Sequence, residues 1–255
     1  MIPKTIHYCW FGGAPLPELA QRCLESWKKF CPDWEILCWD EKRMDLSTAP
    51  LYVRQAYEAR RWAFVSDYVR LRALSEVGGV YLDTDVELVK PLDPFRTDKA
   101  FGGFEFPQFL STGVIACEKG FPVITEFLHH YDHLSFLQAD GSADLTTNPM
   151  VFTEIMLRHG LVPDGHEQEV AGMHLYPIEV FSPLSYLTGR LKKTRRTVAI
   201  HWFSGSWQTE EERKAKEEHL RQQKQARLRT IPNRMLRRLL GDDTYEKIKH
   251  KAGRG

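Results

Sequence analysis

The sequence predicts an α/β fold built on a mostly parallel sheet. Strand-like and helix-like segments alternate along most of the chain, and Gly- or Pro-marked turns separate them. A third sign is Val80-Tyr81-Leu82, a short and wholly apolar segment directly after the helix stop Gly78-Gly79, which reads as a buried strand.

Taken in order, Ile2 to Phe11 reads as a strand that ends in the Gly12-Gly13 turn. After Pro15 and Pro17, apolar residues at Leu19, Cys23, Leu24, Trp27 and Phe30 recur at three-to-four spacing. That period predicts an amphipathic helix, stopped before Pro32. Trp34 to Trp39 is a second strand. Leu51 to Arg60 and Trp62 to Val77 read as helices, the latter with Phe64, Tyr68, Leu71 and Leu74 along one side. Asp83-Thr84-Asp85 stands at the C-terminal end of the Val80 strand, and Val86 to Val89 resumes apolar alternation before Pro91. Ala100 to Glu118 holds Gly-punctuated strand pieces. Pro122 to Phe136 and Asn148 to His159 read as helices, and Val170 to Phe181 and Val198 to Phe203 as strands. No internal repeat is present. After Trp207 the texture changes to many charges and almost no rings, so a core domain over 1–207 and a helical extension over 208–255 are expected.

Composition is that of an ordinary globular protein, with 42% apolar and 27% charged residues. A chain of this length can bury roughly three quarters of its unfolded surface. Cys9, Cys23, Cys31, Cys38 and Cys117 show no CxxC pair, so they read as reduced and mostly buried thiols rather than a zinc site or a disulfide framework. The first residues read as strand and carry no apolar leader, and no run approaches the ~18 apolar residues of a membrane span. Cytoplasmic synthesis is the expectation. From Gln208 onward there are 14 Lys and Arg against 8 Asp and Glu, whereas the preceding residues hold 21 against 26. An acidic body with a basic tail points to two jobs.

Within a strand, alternate side chains face the same way, so Asp83 and Asp85 would both face a cleft at the sheet's C-terminal edge. Open α/β sheets bind ligands there. Two carboxylates suit Mg²⁺ or Mn²⁺, and the ion can in turn bridge a diphosphate and neutralise a nucleoside-diphosphate leaving group. The triplet alone is also compatible with a solvated turn. A calcium loop would need Gly at its sixth position, where Leu88 stands. A phosphatase of the haloacid dehalogenase type usually has Thr or Val two residues after the second Asp, where this chain has Glu87. Upstream, Asp67 and Arg70 lie three apart on one helical face, able to hold sugar hydroxyls and phosphate, or to form a surface ion pair.

Four segments together resemble glycosyltransferase family 32, which includes bacterial capsular polysaccharide transferases. They are Ile2-Pro3-Lys4-Thr5-Ile6-His7-Tyr8-Cys9-Trp10-Phe11-Gly12, Ala63 to Arg70, Gly78 to Asp85, and His201-Trp202-Phe203-Ser204-Gly205-Ser206-Trp207. The resemblance implies a GT-A fold, in which a Rossmann-like nucleotide-binding half joins an acceptor half, and retention of anomeric configuration. The glucosylating clostridial toxins are distant relatives with similar motifs. By that analogy Ser66, Asp67 and Arg70 would touch donor ribose, sugar or phosphate. Asp83 would bridge ribose, sugar and metal, Asp85 would bind the metal directly, and Thr84 would lie against the donor between them. His201 would be the late metal ligand, and Trp207, next to Ser206, an indole donor to the leaving phosphate. An imidazole ligand favours Mn²⁺ over Mg²⁺. Tyr8 or Trp10 would stack on the nucleobase, with core packing as the competing role, and His7 takes no assignment. Asn148 is a candidate for donor-sugar or acceptor contact, and Ser111-Thr112-Gly113 for approach to the donor, against ordinary cap and loop roles.

The implied activity is retaining transfer of a hexose, with UDP-sugar preferred over GDP-mannose, to a glycan acceptor in capsule or exopolysaccharide synthesis. Attack from the leaving-group face is expected, with the diphosphate taking the acceptor's proton and Arg70 and Trp207 stabilising charge. The alternatives are a phosphoryl-transfer hydrolase using Asp83 and Asp85, and a nucleotide-sugar or glycan binding module without turnover. Residues 220–240 carry seven Arg and Lys and no acid, beside Leu228, Ile231, Met235, Leu236, Leu239 and Leu240. Such a basic amphipathic helix fits an anionic membrane surface and a lipid-linked acceptor at its inner face, or a solvated cover or oligomer contact. Nucleic acid is not an expected partner.

Overall fold

The structure, a computed structural model, describes residues 1–205 and Glu218. Met1–Ser185 and Arg190–Trp207 belong to one compact unit, to which the elements below belong; of the second unit, Tyr186–Gly189 and Glu218 are described. Ser206, Trp207 and the expected helical extension with its basic 220–240 stretch lie outside the described residues, Glu218 excepted.

In chain order the elements begin with β1 (Thr5–Cys9), α1 (Glu18–Phe30), β2 (Glu35–Trp39), α2 (Leu51–Glu58), α3 (Trp62–Val77), β3 (Gly79–Leu82) and β4 (Val86–Leu88). They continue with β5 (Ala100–Phe106), β6 (Phe109–Leu110), β7 (Val114–Cys117), α4 (Pro122–His129) and α5 (Asn148–Arg158). The last are β8 (Gln168–Val170), β9 (Met173–Tyr176), α6 (Ile178–Phe181) and β10 (Ala199–His201). The main sheet runs β2-β1-β3-β7-β5-β9-β8, with β6 paired to β5. Strands β2, β1 and β3 are parallel; β7 runs against β3 and β5, β9 runs with β5, and β8 runs against β9. The result is the expected α/β class, a mixed and mostly parallel sheet flanked by helices. A separate two-stranded ribbon pairs β4 with β10 antiparallel.

One apolar layer joins α2, α3, α4 and α5 to one sheet face, and a second joins α1, α6 and the ribbon to the other. Helix α1 turns its Cys23 and Trp27 face inward, with Glu18 in its first turn and Lys28 and Lys29 in its last, a charge order that suits the helix dipole. Trp27 is fully buried and its indole N–H donates to the Val86 carbonyl at 2.7 Å. The Ser26 hydroxyl accepts from the Leu88 amide at 2.9 Å, so α1 grips the ribbon by its backbone. Helix α3 buries Val65, Val69 and Ala73 as well as the expected Phe64, Tyr68, Leu71 and Leu74.

Two expected elements differ. The helix after Pro122 ends at His129 and continues only as a short 3₁₀ turn over His130–His133. The expected strand Val170 to Phe181 is instead a β8–β9 hairpin followed by α6. Ala171 and Gly172 both have positive φ, 49° and 76°, the two-residue turn whose twist matches antiparallel strands. Pro177 then opens α6, which needs no amide there.

Candidate active site

Strands β1 and β3 are parallel neighbours with His7 opposite Tyr81, so Tyr8, Trp10 and Asp83 leave the sheet at the same end. The Asp83 amide donates to the Gly113 carbonyl at 2.9 Å, and the Val86 amide donates back to the Asp83 carbonyl at 2.9 Å. Asp83-Thr84-Asp85 therefore lies in a tight turn between β3 and β4, not within a strand. The two carboxylates converge because the chain bends back, and strand alternation is not the cause.

Strand β10 supplies the third group. His201 pairs with Val86 across the ribbon, and the Trp202 amide donates to the Asp85 carbonyl at 3.0 Å. The His201 Nε2 lies 3.3 Å from Asp85 Oδ1, and the Ser204 amide donates to Asp85 Oδ2 at 2.7 Å. One ligand atom each from Asp83, Asp85 and His201 lies within 4.8 Å of the others. The buried Nδ1 of His201 has no hydrogen-bond partner. An orphaned buried nitrogen costs about 1–3 kcal/mol, so its place in this group matters. A Cβ on Gly113 would come within 3.0 Å of Asp83 Oδ2 and 3.1 Å of His201 Nδ1. Glycine keeps that space open. Two carboxylates, an imidazole and the space left by Gly113 fit a divalent ion of the Mn²⁺ or Mg²⁺ kind.

Electrostatics reinforce the fit. Burial pulls the His201 pKa down, but Asp85, Asp83 and Glu105 push it further the other way, to about 9. Burial raises Asp85, yet His201 and Ser204 more than offset this and hold it well below the ordinary carboxylate range. An ion binding here would displace the imidazole proton.

Arg70 is the post beside this group. It is 5% exposed, and its guanidinium donates to the Thr112 carbonyl at 2.8 Å, the Thr112 hydroxyl at 3.2 Å and the Ser66 carbonyl at 3.3 Å. It also pairs with Asp67 Oδ1 at 2.8 Å and Asp83 Oδ1 at 3.3 Å, and stacks over Tyr81 at 4.6 Å. Asp83 Oδ1 further accepts from the Tyr81 hydroxyl at 3.0 Å. Protein thus holds one oxygen of Asp83, while Oδ2 faces Gly113 and His201. Burial raises the Asp67 pKa to about 6, against the opposing pull of Arg70.

The other expected residues fall in two groups. Ser66 donates its hydroxyl to the Trp62 carbonyl at 2.9 Å. Asn148 is buried; its amide nitrogen donates to the Asp67 carbonyl at 2.9 Å and its oxygen accepts from Tyr131. Thr84 is the partly exposed turn residue. Tyr8 packs edge-on against Trp27 with centroids 5.8 Å apart, and the Trp10 indole donates to the Ala14 carbonyl at 2.6 Å. His7 is fully buried between two partners: Trp39 donates to its Nδ1 at 3.1 Å, so Nε2–H faces the Gly78 carbonyl at 2.7 Å.

Several neighbours received no role in the sequence analysis. Tyr81, two residues before Asp83 on β3, could have been found by alternation; Glu105 by being an acid amid the apolar Phe104 and Phe106. Trp202 stands in the His201 segment, but the contact it makes, its indole donating to Glu87 Oε2 at 2.9 Å under the Arg22 guanidinium, depends on pairing across the ribbon and had no signal there.

The family described as "glycosyltransferase sugar-binding region containing DXD motif" matches residues 17–101, the stretch that holds Asp67, Arg70 and Asp83-Thr84-Asp85. The chain is 28% identical over 156 residues to inositol phosphoceramide mannosyltransferase 3 of Schizosaccharomyces pombe, spanning 55% of this chain and 42% of that protein. It is 22% identical over 218 residues to subversion of eukaryotic traffic protein A of Legionella pneumophila, spanning 66% of this chain and 34% of that protein. The chain spans less than half the length of the curated relatives it matches. Among solved structures, PaToxG glycosyltransferase is similar with a TM-score of 0.47 and 21% identity, covering 62% of this chain and 68% of that one.

Proposed function

We propose that this chain, which over residues 17–101 belongs to the DXD-containing glycosyltransferases, moves a hexose with retention from a nucleoside-diphosphate sugar to a glycan acceptor in surface-polysaccharide synthesis. The observation that carries the proposal is the convergence of Asp83, Asp85 and His201, whose buried Nδ1 has no hydrogen-bond partner. A divalent ion held there, Mn²⁺ by preference, would neutralise charge developing on the leaving diphosphate.

The chain's own residues do the positioning. Arg70 and Tyr81 aim Asp83, and His201 with the Ser204 amide aims Asp85. Asp67 gives one oxygen to Arg70, which leaves the other to accept a donor hydroxyl. Fixed groups of this kind lower a barrier because they need no reorganisation as charge develops. The acceptor oxygen attacks the anomeric carbon on the face the diphosphate leaves, and a diphosphate oxygen takes the acceptor's proton. Trp207 would donate its indole N–H to the same phosphate. Tyr8 or Trp10, at the shared sheet end, would stack on the base.

UDP-hexose remains the preferred donor. Mannosyl nucleotides, GDP-mannose among them, belong beside it because two of the relatives are named mannosyltransferases. Those relatives are named for a lipid acceptor, which agrees with a basic amphipathic stretch over 220–240 that docks at an anionic inner membrane face. No helix among the described residues is long and apolar enough to cross a membrane.

Metal-dependent release of nucleoside diphosphate from a panel of UDP- and GDP-sugars tests the reading. Asp85→Ala should abolish release and leave the fold intact by circular dichroism, though with a lower melt because His201 loses its buried partner. Release of inorganic phosphate instead would favour the hydrolase, and tight binding without release would favour a binding module. Equal sedimentation with anionic liposomes, with and without residues 208–255, would sink the membrane role.

A further inference from the structure

We propose that Glu105 is a sugar-reading residue of this site, accepting hydrogen bonds from hydroxyls of the hexose carried by the donor. The inference rests on the nucleotide-sugar reading above and names a residue that the motifs omit.

Glu105 is the one acid between Ala100 and Cys117, flanked by Phe104 and Phe106. A carboxylate set into an apolar strand is costly unless something satisfies it. Strand pairing explains where it points. On β5, Phe104 faces Leu110 and Phe106 faces Phe109, and the register slips between the two pairs, at Glu105. Such a bulge re-aims the side chain it carries. Ser111, itself buried, accepts from the Gly113 amide through its oxygen at 3.2 Å, donates its own amide to the Gly103 carbonyl two residues before Glu105 at 2.8 Å, and lies beside the Glu105 carboxylate. Gly113 is also the residue whose missing side chain leaves room beside Asp83 and His201. One three-residue loop therefore anchors Glu105 at one end and borders the metal-binding group at the other.

Distance and charge together define its role. Glu105 is within electrostatic reach of His201, Asp83 and Asp85. Among the described residues, the ligand atoms gathered within 4.8 Å are those of Asp83, Asp85 and His201, so Glu105 stands outside the ligand set. Two carboxylates already balance a divalent charge, which frees the third for another partner. It is only partly buried, so a ligand can reach it. Beside the group that would hold a diphosphate, an acceptor-only side chain with several lone pairs suits the vicinal hydroxyls of the sugar that the diphosphate carries.

The test compares wild type with Glu105→Ala and Glu105→Gln. Its readouts are calorimetric binding, in Mn²⁺, of the panel sugar nucleotide that binds best, of its deoxy-sugar analogues and of the parent nucleoside diphosphate. Glu105→Ala should bind the free diphosphate within about twofold of wild type but the sugar nucleotide roughly tenfold or more weakly, as loss of a charged hydrogen bond implies. Against the deoxy analogue lacking the contacted hydroxyl, the difference between wild type and Glu105→Ala should vanish. Glu105→Gln, which keeps the side-chain shape and an accepting oxygen, should melt like wild type and lie between the two in affinity. Undiminished sugar-nucleotide binding by a folded Glu105→Ala overturns the proposal. So does an equal loss of free-diphosphate binding, which would put Glu105 in the metal site. If wild type binds no sugar nucleotide in Mn²⁺, the underlying reading fails first and the proposal falls with it.

Discussion

Replacing Arg70 by Met keeps most of the side-chain volume and removes the charge between Asp67 and Asp83. Side-chain exposure is 6% for Arg70, 13% for Asp67 and 25% for Asp83, so solvent screens these pairs little. Breaking a buried pair by removing one partner costs about 3–5 kcal/mol. The lost bonds to the Thr112 and Ser66 carbonyls act in the same direction. In a protein of this size such a loss lowers Tm by roughly 6–20 °C at neutral pH. The pH dependence is the sharper signature. Asp67 titrates at about 6 in the fold against 3.8 as its ordinary value, because burial outweighs Arg70. A raised carboxylate pKa contributes stability fully present below the unfolded pKa and lost as pH rises through the folded one. Without Arg70 the Asp67 pKa climbs further, so the deficit of Arg70→Met should be largest above pH 7 and should shrink as pH falls below about 6. Urea unfolding at pH 7.5 and pH 5.5 reads this directly. A deficit under 1 kcal/mol, or one independent of pH, would refute the idea that Arg70 works as a charge post.

Other consequences are smaller or more local. Gly113→Ala puts a methyl within 3.0 Å of Asp83 Oδ2 and His201, so Mn²⁺ affinity by calorimetry should fall at least about tenfold while stability drops by about 1–3 kcal/mol. Asn148→Ala removes the tie to the Asp67 carbonyl and leaves the Tyr131 hydroxyl unpaired, costing about 1–3 kcal/mol in denaturant titrations. Burial holds the His7 pKa below 6.5, so the folded imidazole stays neutral while the unfolded chain binds a proton. Its share of stability is present above about pH 6.5 and lost as pH falls, and the acid slope should flatten in His7→Gln.

Much of this architecture was legible in the sequence because the responsible forces are local. The Trp27 helix stripe, the Gly78 stop and the Val80 strand are periodicity and backbone conformation, and each occurs within about two residues of its expected place. The Val170 segment reads as one strand because Ala171 is not a turn-forming residue by type; the hairpin depends on its adopting positive φ beside Gly172. At the site, Asp67, Arg70, Asp83, Asp85 and His201 were legible as motif residues. The reason Asp83 and Asp85 converge was not, because the turn is closed by the Val86 amide and pinned by Gly113, over two dozen residues away in sequence.

The β4–β10 ribbon shows why such a site escapes a linear reading. It joins residues 86–88 to residues 199–201, and everything that orients it is long-range. Trp27 and Ser26 hold β4 from α1, and Trp202 clips β10 to Glu87 on the opposite strand. Each tie is an ordinary hydrogen bond with a net worth of about 1 kcal/mol. Jointly they fix Asp85 against His201 at 3.3 Å. An ion that binds only this assembled geometry would stabilise the ribbon in turn, in proportion to the logarithm of its concentration over its dissociation constant. The first acidic motif and the late histidine are therefore one structural unit, and folding of the ribbon is the step that creates the site.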